Sequence, residues 1–128
     1  MRLMLDTHAF LWAVGLPSKL SPKAVDLIAD DGNELFLSVA SLWEIVLKKE
    51  AGKLHLPATA DYFRAHLSVL GVRDLLPIQP AHIYRLNELP PVHRDPFDRL
   101  LAAQCLVEGL ALVSADAMLR EYGVEVVW

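Results

Sequence analysis

Short apolar runs alternate along the chain with longer stretches in which apolar residues recur at helical spacing. Residues 2–5 (RLML) predict a buried strand, followed by a helix near Thr7–Val14. Ser21 is placed to cap a second helix that opens with Pro22 and runs to about Asp30, and DDGN behind it reads as a turn. Residues 35–38 (LFLS) predict the next strand. A helix then runs from about Val39 to Glu50, with Gly52 as its stop signal. A helix over Ala60–Leu70 ends at Gly71, and residues 74–78 (DLLPI) predict a short strand with Pro77 as a potential interruption. A helix around Ala81–Leu89 leads to Pro90 and Pro91, and another covers 96–108 with Gly109 behind it. The chain closes with strand 110–113 (LALV), a helix near Ala115–Tyr122 and strand 124–127 (VEVV). Such alternation predicts a parallel sheet with helices on both faces, in one α/β/α domain over residues 1–128.

Composition narrows the class. With 54% apolar and 22% charged residues, the chain is expected to pack as a globular domain. No apolar run approaches membrane-span length, and the five residues MRLML are too short for a signal peptide. The single Cys105 lies in an apolar helix as a small core residue, excludes an intrachain disulfide and agrees with a cytoplasmic location. Five scattered histidines show no ligand spacing, which argues against zinc. A formal charge of −4 rules out a uniformly basic surface but not nucleic-acid binding, which depends on where the charges lie. Lys48, Lys49 and Lys53 crowd one region, and Arg94 and Arg99 flank an acidic pair.

That pair, Asp95 and Asp98, stands at the mouth of a helix whose circumference is mostly apolar. Asp95 suits the N-cap, Pro96 the first helical position, and Asp98 the third, where its charge complements the helix dipole. Capping accounts for Asp95. Asp98 falls between Leu101, Ala102 and Cys105 on the helix surface, with no Lys or Arg three or four positions on, so it is expected to point inward and to need a partner. Three further acids fall near the carboxyl ends of predicted strands, where ligands bind in open parallel sheets. Asp6 follows the first strand, Glu44 lies in the second turn of the helix after LFLS, and Asp116 lies three residues beyond LALV. Each also has a purely structural role open to it. Asp6 can cap its helix, Glu44 can form a capping box with Ser41 or pair with Lys48, and Asp116 can sit in a first helical turn. Four carboxylates gathered without equal basic charge repel one another, a cost that a bound cation offsets. Oxygen ligands favour magnesium or manganese over zinc.

The segments LMLDTHAFLW, SVASLWEIVLKKEAGKL, HRDPFDRLLAAQ and LVSADAML resemble the successive motifs of PIN-domain ribonucleases, in particular toxins of the VapC type. The resemblance implies a three-layer α/β/α fold with a five-stranded, mainly parallel sheet. It also implies magnesium-dependent RNA cleavage, a homodimer and neutralisation by a VapB-type antitoxin. Asp6, Glu44, Asp98 and Asp116 occupy the family's acidic positions, with Asp6, Asp98 and Asp116 as metal ligands. Ser114 stands where the family often has Thr and keeps the hydroxyl. Asp95 would orient the helix from behind the ligands, and Arg94, Arg99 and Lys48 would contact RNA, with surface pairing as the equal alternative for the two arginines. His8 and His93 suggest general-base chemistry, but without a third partner they read as packed or cap-adjacent side chains.

The implied mechanism needs no side-chain nucleophile. One or two divalent ions lower the pKa of water and offset charge on the phosphoryl oxygens, while Glu44 holds an ion or accepts the proton of the water. A phosphotransfer receiver domain would need a Lys on a late strand, which 124–127 lacks, and a haloacid-dehalogenase-type phosphatase would need a second Asp where His8 stands. The alternative is a non-catalytic α/β interaction module with a structural cation site.

Overall fold

The computed structural model describes residues 1–128. The elements run β1 (Arg2–Leu5), α1 (Thr7–Gly15), a 3-10 turn (Pro17–Lys19), α2 (Pro22–Ala29), β2 (Glu34–Ser38), α3 (Val39–Glu50), α4 (Ala60–Leu70) and β3 (Val72–Leu76). The second half continues with α5 (Pro80–Glu88), α6 (Pro96–Glu108), β4 (Ala111–Val113), a 3-10 helix (Ala117–Tyr122) and β5 (Val126–Val127). The five strands form one parallel sheet in the order β3-β2-β1-β4-β5. The chain winds outward from β1 in both directions, so the crevice between β1 and β4 is the switch point where parallel sheets open a ligand site.

Strand periodicity sorts the apolar residues onto two faces. Leu3, Leu5, Leu35, Leu37, Ala111 and Val113 join Phe10, Ala24, Phe63 and Leu67 in one core, beneath α1, α2 and α4. Met4 and Leu112 point the other way, against Leu100, Leu101, Leu119 and Tyr122, beneath α5, α6 and the 3-10 helix. Helix α3 reaches both sides, with Ile45 in the first core and Ala40 in the second. Leu101 is fully buried, so truncating it to Ala would cost about 2–5 kcal/mol. The expected three-layer α/β/α arrangement is therefore present, and no helix is long and apolar enough to cross a membrane.

Local signals place most helix ends. Ser21 accepts the Ala24 N–H at 3.0 Å and Pro22 opens α2, Asp95 caps α6, and Gly109 ends α6 at φ 68°, a left-handed position that a side chain would strain. Four boundaries differ from the sequence expectation by two residues, among them the last strand, expected over 124–127 and confined to Val126–Val127. β3 starts at Val72, not residue 74, because Val72 is buried beside Leu35 and a one-residue bulge at Arg73 follows before pairing resumes at Asp74. It stops at Leu76, before Pro77 (which has no N–H to donate). The segment expected as a helix from Ala115 is a 3-10 helix beginning at Ala117, because Asp116 is itself the cap.

Beneath the sheet's carboxyl edge lies a buried polar chain. Ser38 Oγ donates to Gln104 Oε1 at 2.6 Å, Gln104 Nε2 donates to the Pro77 carbonyl at 3.3 Å, and His82 bridges from Gln104 to Glu108. Ser38 also caps α3 by accepting the Ala40 N–H at 3.0 Å, which ties the start of α3 to α6.

Candidate metal centre

Asp6 extends β1 by one bond, its N–H donating to the Val113 carbonyl at 3.0 Å. Its Oδ1 accepts the Ala9 N–H at 2.7 Å, so the capping role is in place. The carboxyl is nonetheless buried at 5% exposure, at the mouth of the β1–β4 crevice. Burial pushes its pKa up, and the charge of Glu44 adds to the rise, against the Ser114 hydroxyl, the Ala9 N–H and His8. Ser114 links two acids, because its Oγ also accepts the Asp116 N–H at 3.1 Å.

Glu44 is buried on the second turn of α3. Of its two structural alternatives, the i,i+4 pair is present: Lys48 Nζ lies 2.8 Å from Oε2. The capping box is not, since Ser38 caps α3 and Ser41 Oγ accepts from Thr7 Oγ1 at 3.0 Å. Glu44 Oε1 is buried without any hydrogen-bond partner. A buried acceptor left unmatched is costly, and a cation or a donor beside it would satisfy it.

Asp98 sits in the first turn of α6, with Asp95 Oδ1 accepting the Phe97 N–H at 2.8 Å and the Asp98 N–H at 3.3 Å. Burial, followed by the charges of Asp95, Asp6 and Glu44, pushes its carboxyl from 3.8 up to about 7, with only His93 pulling down. Asp6, Glu44, Asp95 and Asp98 thus share one negative field. Asp116 caps the 3-10 helix, its Oδ1 accepting the Met118 N–H at 3.0 Å. Its Oδ2 meets His93 Nε2 at 2.7 Å, and the same nitrogen lies 3.6 Å from Asp98 Oδ2.

His93, Asp98 and Asp116 therefore offer ligand atoms within 4.8 Å of one another. Sequence spacing shows no such histidine-containing group. Locally His93 is cap-adjacent as expected, since Nδ1 accepts the Asp95 N–H at 3.1 Å. Its reach to Asp116, 23 positions away, has no local signal. Carboxylate oxygens, an orphaned buried oxygen and a carboxyl driven up by burial and by its acidic neighbours together fit a hard divalent cation.

The basic residues divide. Lys48, Lys53 and Arg94 line a groove of about 520 Å³ beside Glu44, Asp95 and Phe97. Arg99 turns away to donate to the Pro90 carbonyl at 3.1 Å and the Leu86 carbonyl at 3.4 Å, above the Tyr122 ring. It holds the Pro90–Pro91 turn, which leaves Arg94 as the arginine beside Glu44.

Comparison with known proteins completes the assignment. No curated protein sequence matches the chain. In fold it is similar to VapBC2 from Rickettsia felis bound to a DNA fragment from their promoter, at 16% identity and a TM-score of 0.70, covering 99% of this chain and 98% of that one. It is similar to FitAcB from Neisseria gonorrhoeae at 16% identity and a TM-score of 0.63, covering 98% of this chain and 96% of that one. VapBC-1 from nontypeable Haemophilus influenzae follows at 15% identity and a TM-score of 0.58, with 99% and 97% covered. At such identities the shared property is the fold, and it extends from end to end. The PIN domain profile matches residues 3–125. With that match, a parallel sheet opened between β1 and β4, and acids gathered at its carboxyl edge, the chain belongs to the PIN domain family.

Proposed function

We propose that this chain, acting as one PIN domain over residues 1–128, is a magnesium-dependent endoribonuclease toxin of the VapC type, with manganese as an acceptable substitute. One observation carries the reading: the carboxyls of Asp6, Glu44, Asp95 and Asp98 gather at one edge of the sheet, where burial and then the charges of Asp95, Asp6 and Glu44 raise Asp98 to about 7 and the buried Glu44 Oε1 has no partner, a set of acceptors that a divalent cation would satisfy. Membership of the PIN family and the fold shared with the VapBC structures support the same reading.

In this scheme Asp6, Asp98 and Asp116 hold the cation. When bound, it supplies acidification of water and neutralisation of charge on the phosphoryl oxygens. Glu44 is half committed: Lys48 fixes Oε2, while Oε1 has no partner and is available to accept the proton of the attacking water. Ser114 and Asp95 orient the carboxylates, Ser114 through Asp6 and the Asp116 N–H, and Asp95 by capping α6. Arg94 and Lys48 contact RNA phosphate along the groove, and Arg99 supports them by holding the preceding turn. In-line attack of water breaks the P–O3′ bond and leaves a 5′-phosphate and a 3′-hydroxyl.

Two partners follow. A VapB-type antitoxin would close the acidic rim with an Arg, or a Lys, reaching Asp6 and Asp98, because a guanidinium fork pairs with carboxylate oxygens and competes with the cation. A second copy would cover the apolar groove of Trp43, Leu47, Ile83, Leu86, Phe97 and Leu100, where Trp43 is 57% exposed.

The test is cleavage of single-stranded and structured RNA by the purified chain. Cleavage should require magnesium or manganese, stop with EDTA, and fall at least about a hundredfold in Asp6→Ala and Asp98→Ala, the scale of losing a positioned catalytic group. A chain that binds the cation but cuts no RNA would instead be an interaction module with a structural metal.

A further inference from the structure

His93 touches two of the acids, and its ring is already committed. Nδ1 faces the Asp95 N–H at 3.1 Å. A backbone N–H can only donate, so Nδ1 must present its lone pair and the ring proton sits on Nε2. Nε2 lies 2.7 Å from Asp116 Oδ2 and 3.6 Å from Asp98 Oδ2. With its proton there, Nε2 has no lone pair for a metal. It donates to Asp116.

The ring is held in place from behind. The His93 N–H donates to the Tyr122 hydroxyl at 2.6 Å, and Tyr122 is buried at 5% exposure. Asp116 in turn has a donor on each oxygen, with the Met118 N–H 3.0 Å from Oδ1 and His93 on Oδ2. Two donors from different directions fix the rotation of a carboxylate that the Met118 bond alone would leave free to swing.

We propose that His93 is a positioning residue of the acidic rim: a fixed Nε2–H donor that turns Asp116 toward Asp98 and leaves a divalent cation an all-oxygen ligand set. Although an imidazole stands within ligand distance, the site then prefers magnesium or manganese and gains nothing from His93 toward zinc. This deepens the cation-binding reading and does not depend on RNA cleavage.

Two measurements on the full chain test it. Two-bond 1H–15N correlation spectra of histidine-labelled protein should show His93 protonated at Nε2 and bare at Nδ1, without metal and again with saturating magnesium. A ring protonated at Nδ1, alone or together with Nε2, overturns the proposal, as does loss of the Nε2 proton when metal binds. Calorimetric titration with magnesium and with zinc supplies the second readout. His93→Ala should weaken both by a similar factor, about 10- to 100-fold, the scale of removing an outer partner of a metal ligand. His93→Gln, whose amide N–H can take the same place, should recover most of that loss. Unchanged affinities, or a much larger loss for zinc than for magnesium, overturn it. If His93→Ala fails to fold, the wild-type spectra decide alone. Absence of any magnesium binding would remove the cation reading and the ligand-set claim with it, while the metal-free spectrum would still decide whether His93 orients Asp116.

Discussion

Replacing Asp98 by Asn should stabilise the metal-free protein above neutral pH while abolishing its response to magnesium. The Asp98 side chain is 18% exposed, and burial together with the charges of Asp95, Asp6 and Glu44 moves its carboxyl from 3.8 to about 7. At about 1.4 kcal/mol for each pH unit, ionising Asp98 costs the folded state about 4 kcal/mol relative to the unfolded chain. Asn removes that cost but also the favourable charge in the first turn of α6, worth about 0.3–1 kcal/mol. The expected net gain at pH 8 is about 3 kcal/mol, or roughly 10 °C in melting temperature for a chain of this size. The sign follows from proton counting. Between about pH 4 and pH 7 the fold keeps a proton on Asp98 that the unfolded chain has released, so the Asp98 contribution to stability falls as pH rises through that window and is level above it. Asn has no such slope. Urea unfolding in EDTA from pH 4 to pH 8.5 should therefore give curves that nearly meet at the acid end and separate toward pH 8. Magnesium at a hundredfold excess over its dissociation constant should then return about 2.7 kcal/mol to the wild type and almost nothing to Asp98→Asn. A variant no more stable than wild type at pH 8 in EDTA would refute the claim that unpaired negative charge is stored at this position.

Lys48→Ala should lower stability by about 1–3 kcal/mol in urea, below the cost of breaking a fully buried pair because Lys48 is 29% exposed. Glu44→Gln should lose cleavage if Oε1 serves the reaction, whereas normal cleavage with reduced stability would leave Glu44 as the partner of Lys48 alone. If the chain forms the proposed dimer, Trp43→Glu should convert it to a monomer in light scattering, and an unchanged dimer mass would exclude the Trp43–Phe97 face as the contact between copies. In a complex with the proposed antitoxin, replacing its rim-seeking Arg by Ala should restore cleavage while the complex still forms. Full inhibition at saturating magnesium would show that blockade is steric.

What the sequence by itself determined is mostly local. The alternation of strand and helix, the Ser21, Asp95 and Gly109 ends and the apolar circumference of α6 all follow from period, cap preference and backbone freedom, which act within a few residues. Asp98 was legible as an unpaired acid for the same reason: no basic residue stands one turn along. The PIN-like motifs, taken in order, pointed to the same four acids, but each of those acids kept a structural alternative that local rules do not exclude. The tertiary structure shows which of those structural alternatives are filled and what each acid has left over. Asp6 caps α1 and faces the rim, and Glu44 pairs with Lys48 and still leaves one oxygen unmatched. Strand order, the early start of β3 at Val72, the turn of Arg99 toward Pro90 and Leu86, and the meeting of His93 with Asp116 belong to the tertiary structure alone. These depend on contacts between distant segments, brought together when two apolar faces are buried on one sheet, and no periodicity within a segment records which distant side chain will arrive beside it.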